Sequence, residues 1–579
     1  MKYERNFNLI NRKFRELLIP TMAISIAGNF AILADALLVS FILGSEYLAV
    51  IQTIEPLTLF LCVVYWMIGL GGSILCSIAK ADFDDEKANT IFTVALLSNI
   101  IIGVLFMISC FIFGDAYTEI LCQSAALQSL VKQYLLLYAI GMPFLCYVAC
   151  MAYFIKSYGF LKLQFWTFLI ANVINVSCDV IFMKYLNLGV GGAGLASSVG
   201  FGIGTIVITS YFFSSRKSIK IIKVKAPTFL RYLGTICKSG YSSSARFLYD
   251  GIRGVLINYL LTALVGVIGL EAFNMCNNVL FIVMIFILGT IQSIVPIVSV
   301  YYKEEDYRGV AYVCDRSMKL AIGFGLFFMM LFIAFPHIAL YLFNVHDPDR
   351  IPFVINAVQM FSLCFVGYAV TNLYVYYAQS TQKIKLSNAI ALLEGLVFPL
   401  ILIYVFSYFL GVNGIWIGFA VTEILTILTI FIYTRHVSKK TNGETSGFFL
   451  LKQSDYKNLF EYTFNGSAEE VESLSNDMKK TIPHSKLSEI VISAIEEMLL
   501  NIIRINGEVD LVDIIVRKKK DSIKIGIKYS GIVFNPLEDE NSDTYELNKY
   551  VDNIEYSQIL EINNIEISIN NDAINIENA

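Results

Sequence analysis

Histidine and charge are both scarce in this chain. Four histidines are scattered over 579 residues, which excludes a histidine-rich metal site. Charged side chains make up only 16% of the chain. The eleven cysteines sit mostly inside apolar runs (Cys62, Cys76, Cys110, Cys146, Cys178, Cys364), without the paired spacing of a disulfide framework or a metal knuckle. The N-terminus lacks the form of a cleavable signal. A polar stretch of about fifteen residues, with Lys2, Arg5, Arg12, Lys13 and Arg15, runs into an apolar span too long for a signal core.

What fills the chain instead is apolar surface: 56% hydrophobic residues and 14% aromatic. A soluble protein of this length could not hide so much in one or two cores. Runs such as 59–79, 91–113 and 396–411 reach the length that a hydrocarbon layer demands. Twelve spans are expected, near 17–43, 56–79, 91–113, 134–155, 163–184, 191–213, 240–265, 272–300, 317–336, 352–378, 386–410 and 414–434. The connection after the sixth carries Arg216, Lys217, Lys220, Lys223, Lys225, Arg231 and Lys238, and the loops at 156–162, 302–319 and 381–385 are basic as well. Alternate loops at 44–55, 114–132 and 337–351 hold few basic residues, so both termini are expected in the cytoplasm, with the spans in a cell inner membrane.

Charge also divides the chain. From Gly447 to Ala579 there are 13 Lys+Arg against 24 Asp+Glu, whereas the rest holds 30 against 23. A basic inner face suits a membrane with anionic lipids. The acidic tail argues against nucleic acid as a partner. The expected organisation is a segment 1–16, a six-helix half 17–213, a basic connection 214–239, a second half 240–436, a linker 437–447 and a soluble domain 448–579.

The two halves echo one another. LGVGG at 188–192 returns as LGVNG at 410–414, an offset of 222 residues. GLGGSILCSIAKADFDDEK (69–87) is echoed by GTIQSIVPIVSVYYKEEDY (289–307) at an offset of 220, and FIKSYGFLK (154–162) loosely by YYAQSTQKIK (376–385). Six spans lie within one offset, so the halves enter the membrane in the same direction. Transporters built on such parallel repeats bind substrate between the halves.

ADALLVSFILGSEYLAVIQTIEPL (34–57) followed by GLGGSILCSIAKADFDDEKAN resembles the opening of the multidrug and toxic compound extrusion (MATE) transporters. So do FIKSYGFLKLQFWTFLIANVINVSCDVIFMKYLNLGVGGAGLASSV (154–199) and YYAQSTQKIKLSNAIALLEGLVFP (376–399). The resemblance covers roughly residues 15–435 in family order. It implies an all-α membrane protein, not an enzyme, that expels organic cations or other amphiphiles in exchange for sodium ions or protons, with no cofactor.

Carboxylates within spans cost several kcal/mol unless paired or hydrated, so each is a functional candidate. Asp35 lies near the middle of the first span with no basic residue within two helical turns. Asn175 and Asp179 are four apart on the fifth span and share a helix face, with Asn172 one turn earlier. An amide beside a carboxylate suits sodium coordination or a shared proton; a buried hydrogen-bond knot that fixes packing is the other reading. In the resemblance, Asp35 falls at the family's first-helix acid, and Asn175 and Asp179 at its fifth-helix pair. Arg246, Asp250 and Arg253 stand at i, i+4, i+7 on the seventh span, so Asp250 either pairs locally or fills the place of a seventh-helix carboxylate. Glu394 and Glu423 have no local partner and fit either a cavity or helix packing. The aromatics Phe60, Tyr65, Trp66, Tyr374, Tyr376 and Tyr377 could line a cation site or simply pack.

The tail reads as a small α/β two-layer domain. Strands are expected at FFLLKQ, LFEYTFNG, VDLVDIIVRKK, SIKIGIKYSG and NNIEISIN, and helices at AEEVESLSNDMKKTI and 485–505. This resembles the ATPase fold of histidine kinases and anti-sigma-factor kinases. Glu497 and Asn501 match that family's Glu-x-x-x-Asn, which implies magnesium and nucleotide contacts. Gly531, Phe534 and Pro536 match the next motif, but Tyr529 stands where the family's adenine-anchoring Asp belongs. The following segment NSDTYELNKYVDN contains no glycine to fold over phosphates. ATP with magnesium is therefore expected to bind weakly or not at all, and a cytoplasmic protein is the expected partner of the tail. Two classes stay open: a secondary transporter with a regulatory tail, and a membrane sensor that uses the scaffold as receptor and the tail as output. Membrane lipid and a small-molecule substrate are the remaining expected partners.

Overall fold

The computed structural model describes residues 4–570 apart from 44–47, 122–124, 215–217, 343–350, 453–458, 482–485, 519–521, 533–550 and 552. The first half holds α1 (Asn8–Ile42), α2 (Leu48–Thr53), α3 (Glu55–Ala81), α4 (Asp85–Leu121), α5 (Ala125–Ala139), α6 (Met142–Ser157), α7 (Leu161–Val180) and α8 (Gly189–Thr209). The second holds α9 (Ala226–Val265), α10 (Val267–Lys303), α11 (Tyr307–Ala334), α12 (His337–Leu342), α13 (Ile351–Ser362), α14 (Phe365–Ser380), α15 (Ile384–Leu392), α16 (Phe398–Leu410) and α17 (Val412–Lys440). In lipid every backbone N–H and C=O must be satisfied within the chain, which is why these apolar runs wind into helices.

Among the described residues, nine helices are long and apolar enough to cross a membrane, or up to eleven if each of two bent pairs is one span. The pairs are α5–α6, bent by 47°, and α13–α14, bent by 41°. The chain is a multi-pass membrane protein. The expected first span at 17–43 falls on α1, which begins earlier, at Asn8. Phe41, Phe111, Ile112, Ile206 and Tyr259 point outward; in water such a surface would be costly, and in lipid it is solvated.

The two halves share punctuation. Phe83 and Glu305 have positive φ between the second and third long helices of each half, as do Gly159 and Gln382, and Gly189 and Gly411, at later corners. The halves meet where α3 crosses α9. A side chain at Gly71 would lie 2.3 Å from the Ile236 carbonyl oxygen, and one at Gly240 would lie 1.9 Å from that of Met67. Only glycine lets the two backbones approach so closely. Near the ends of α3 and α10, Lys303 and Asp82 form an ion pair of 3.0 Å that links the halves.

The tail opens with a short ribbon of β1 (Thr445–Ser446) and β2 (Leu451–Lys452) and continues as a five-stranded antiparallel sheet, in the order β3 (Leu459–Gly466), β4 (Val509–Lys518), β5 (Ser522–Tyr529), β7 (Ile562–Asn570) and β6 (Asn553–Ile559). Two helices, α18 (Ala468–Thr481) and α19 (Lys486–Asn506), pack on it around Leu474, Met478, Ile495, Met498, Ile514 and Ile527. The expected FFLLKQ strand shrinks to Leu451–Lys452, paired with Thr445–Ser446. Its phenylalanines instead leave the tail: Phe448 and Phe449 pack on Tyr374 and Tyr377 of α14. Lys383 fixes this crossing by donating to the carbonyls of Phe449 (3.1 Å) and Leu450 (2.9 Å), and burial pushes its amine down to about 8.

The tail sits on the membrane helices through ion pairs. Arg5 is buried and reaches Asp306 at 2.7 Å, Asp513 at 3.2 Å and Glu461 at 3.4 Å. Burial pushes all three carboxyls up. Arg5 overcomes this only at Asp306, which it holds far below the usual carboxylate range, while Glu461 and Asp513 stay raised. Glu4 bridges to Tyr462, so the N-terminal segment lies along the free edge of β3. The β6–β7 hairpin turns through Leu560 and Glu561, both left-handed with φ near 59° and 57°. Such turns favour Asn-Gly, and left-handed backbone costs an L residue roughly 1–2 kcal/mol.

Candidate functional site

Four elements of the second half converge on one buried arginine. Arg246, from α9, donates to the Oδ1 of Asn372 on α14 and pairs with the Oε1 of Glu394 at 2.5 Å. Its guanidinium lies 4.5 Å from the ring centre of Tyr368. Asn372 is held in place by donating to the Tyr368 carbonyl at 2.7 Å. Glu423 of α17 accepts from Thr371 at 2.8 Å, and α14 passes over it at Gly367, where a side chain would lie 2.3 Å from the Glu423 Cβ. Both glutamates are almost wholly buried, at 1% and 5% exposure.

Local helix geometry puts Glu394 there. It occupies a π-helical turn, Leu393–Val397, between α15 and α16. A π turn inserts an extra residue and re-aims the side chains around it, and such turns collect at functional sites. Gly395 next to it packs against the Tyr249 ring, whose hydroxyl lies 3.3 Å from that of Tyr241.

Asp250 and Arg253 stand beside this cluster. Asp250 is half-buried and pairs with Arg253 at 2.6 Å, while Arg253 also donates to the Gly395 carbonyl at 3.4 Å. Asp250 thus has a partner on its own helix. Arg246, however, turns away from Asp250 toward other helices, which its i, i+4 spacing did not indicate. The five ionisable groups carry two positive and three negative formal charges, one positive charge short of balance. In a low-dielectric interior a deficit of this kind is met by a bound proton or cation.

In the first half, Asp179 is buried at 1% exposure and Asn175 donates to Ser197 on α8 at 3.3 Å. Asn172 is half-buried one turn away. Gly200 lets α8 come close to Asn175, since a side chain there would lie 2.9 Å from the Asn175 Cβ. A π-helical turn, Ile181–Tyr185, follows directly after this residue group. Asp35 lies on α1, against which α7 packs; its side chain falls outside the described residues. Of the aromatics, Tyr65, Tyr374, Tyr376 and Tyr377 are buried, whereas Phe60 is exposed. Tyr374 and Tyr377 serve the crossing at Phe448 and Phe449.

In the tail, Glu497 and Asn501 lie one turn apart on α19, with Asn501 buried. Tyr529 is fully buried and its ring belongs to the tail core. Phe534, Pro536 and most of the glycine-free segment fall outside the described residues.

A MatE family profile matches residues 20–181 and 252–405, more than half of the chain. No curated protein matches it. Among solved structures, an outward-facing multidrug resistance MATE family transporter of the MOP superfamily is 19% identical, with a TM-score of 0.68 over 75% of this chain and 97% of its own. A MOP superfamily transporter from Pyrococcus furiosus is 18% identical, with a TM-score of 0.69 over 76% of this chain and all of its own. For that transporter a reversed polarity of the binding pocket has been taken to suggest a different function. The profile spans both halves and stops short of the tail, and the family is one of transporters rather than enzymes: the chain belongs to the MatE family.

Proposed function

We propose that the chain is a secondary antiporter that exports organic cations or other amphiphilic small molecules in exchange for sodium ions or protons. The charge deficit around Arg246 carries this reading. Glu394 pairs with the guanidinium and Glu423 is buried nearby on Thr371, in a cluster that a single monovalent cation would neutralise. The buried Asp179 with Asn175 and Asn172 offers a second polar group in the other half, next to the helix that carries Asp35. A structural relative of the same fold is a multidrug resistance transporter, which supports the substrate class. The eleven candidate spans together with α1, and the matching corners of the two halves, support twelve helices in two parallel repeats. The basic loops support an orientation with both termini in the cytoplasm, in a cell inner membrane.

The tail acts here as a regulatory or docking module for a cytoplasmic protein rather than a nucleotide unit. Tyr529 fills with a buried ring the position at which an acidic side chain would hold adenine, so Glu497 and Asn501 alone would carry magnesium and ATP.

Drug accumulation in cells that express the full chain, with sodium and proton gradients collapsed separately, tests the reading. Asp35→Asn is expected to abolish export with insertion intact, Asp179→Asn to lower it, and Asn175→Ala to lower it less. Export at the wild-type rate in both aspartate variants would assign these carboxylates to packing.

A further inference from the structure

We propose that the tail is a built-in clamp: the tip of the β6–β7 hairpin sits across the seam between the two halves and holds them together on the tail side. Four observations converge on this. β6 packs against α3, in the first half, and Ile559 and Leu560 line one small cavity with Val300 and Tyr301 of α10, in the second. Glu561, the next residue, packs on the corner between α6 and α7, where a side chain at Gly159 would lie 2.6 Å from its Cγ. The same tip therefore touches both halves.

The second-half contact is also ionic. Lys528 of β5 pairs with Glu304, just beyond α10, and lies 3.7 Å from the ring centre of Tyr301. Asn564 of β7 donates to Glu304 at 3.0 Å, and Arg517 of β4 donates to its carbonyl. Glu304, Lys528 and Asn564 are all buried, so they are poorly screened and depend on staying together. Arg5 then ties Asp306 to Asp513 and Glu461 of the sheet.

The turn itself supplies the third argument. Two consecutive non-glycine residues are held left-handed at Leu560 and Glu561, where a free hairpin would favour Asn-Gly. Strain of this kind persists where the surroundings over-determine it, and Leu560 is fixed by burial against the membrane helices. Finally, the Lys303–Asp82 ion pair crosses the seam beside this tip, so the clamp reinforces a closure already present. A repeat-built transporter that rocks its halves apart on this side cannot keep one rigid tip seated on both. Opening on the tail side requires the tip to leave, and a partner or ligand that captured the tail would set how often that happens.

The inference rests on the two-half organisation and not on any substrate or coupling ion. Hydrogen exchange on the full chain in lipid nanodiscs therefore tests it without a transport assay. In Leu560→Gly the backbone amides of 69–81 and 294–303 are expected to exchange about tenfold faster or more, while those of 509–518 and 522–529 keep their protection. Glu304→Lys, which sets a cation against Lys528 from the membrane side, is expected to loosen the same two stretches, and it decides the matter should the glycine variant disturb the sheet itself. Wild-type exchange in both stretches would overturn the clamp, as would loosening of the second-half stretch alone.

Discussion

Arg246→Met is expected to cost the full chain about 3–5 kcal/mol, because it strands the buried Glu394 without its cation, close to the equally buried Glu423. The guanidinium is held by Asn372, Glu394 and the face of Tyr368 at once. Methionine matches the length of the stem and removes all three contacts. Thermal unfolding of the detergent-solubilised protein should show a large drop in Tm. Adding Glu394→Gln to the variant should restore most of it, since the second change removes one of the two unpaired charges. A drop that Glu394→Gln does not relieve would mean that the arginine acts through packing alone.

Gly240→Ala should be nearly as damaging, for a steric reason. A Cβ there would lie 1.9 Å from the Met67 carbonyl oxygen and 2.8 Å from its carbon, both backbone atoms of a helix that has no room to withdraw. Relief requires α3 and α9 to part, and overpacking of this sort costs roughly 1–3 kcal/mol or more. Gly251→Ala on the same helix is the matched control, because nothing lies within 4 Å of its site. There alanine should be neutral or stabilise by up to about 1 kcal/mol through helix propensity. A Tm for Gly240→Ala equal to that of Gly251→Ala would rule out the close helix crossing.

Long apolar runs were legible in the sequence because lipid imposes one rule on every residue of a span; among the described residues nine helices are long and apolar enough to cross, or up to eleven with the two bent pairs. The bends within the fourth and tenth expected spans were not legible, since neither run is interrupted by charge. The fourth breaks at Ile140–Gly141, just before Pro143, and the tenth at Leu363–Cys364, where no proline marks it. Glu394 and Glu423 were visible singly as charges in spans, but Arg246 lies 148 residues from Glu394 in sequence. No local spacing announces such a meeting. Arg5 read as one more basic residue near a membrane, whereas it is a buried tie between three carboxylates. The β6 strand, NIEYSQI, is not legible in the sequence because its turn is Leu-Glu and not one of the dipeptides that signal a hairpin. In the tail, alternating isoleucines in β4, β5 and β7 made the sheet readable. Its seat on the membrane helices depends on single residues from distant segments and was not.

In the proposed exchange an organic cation leaves as a sodium ion or proton enters. Purified full chain reconstituted into sealed vesicles, with a fluorescent organic cation at equal concentration on both sides, measures this directly. An imposed sodium or proton gradient should drive the dye uphill, in the direction opposite to the ion. Collapsing that gradient, or substituting Asp35→Asn, should stop the movement. Dye that moves only down its own gradient, whatever ion gradient is imposed, would contradict the claim.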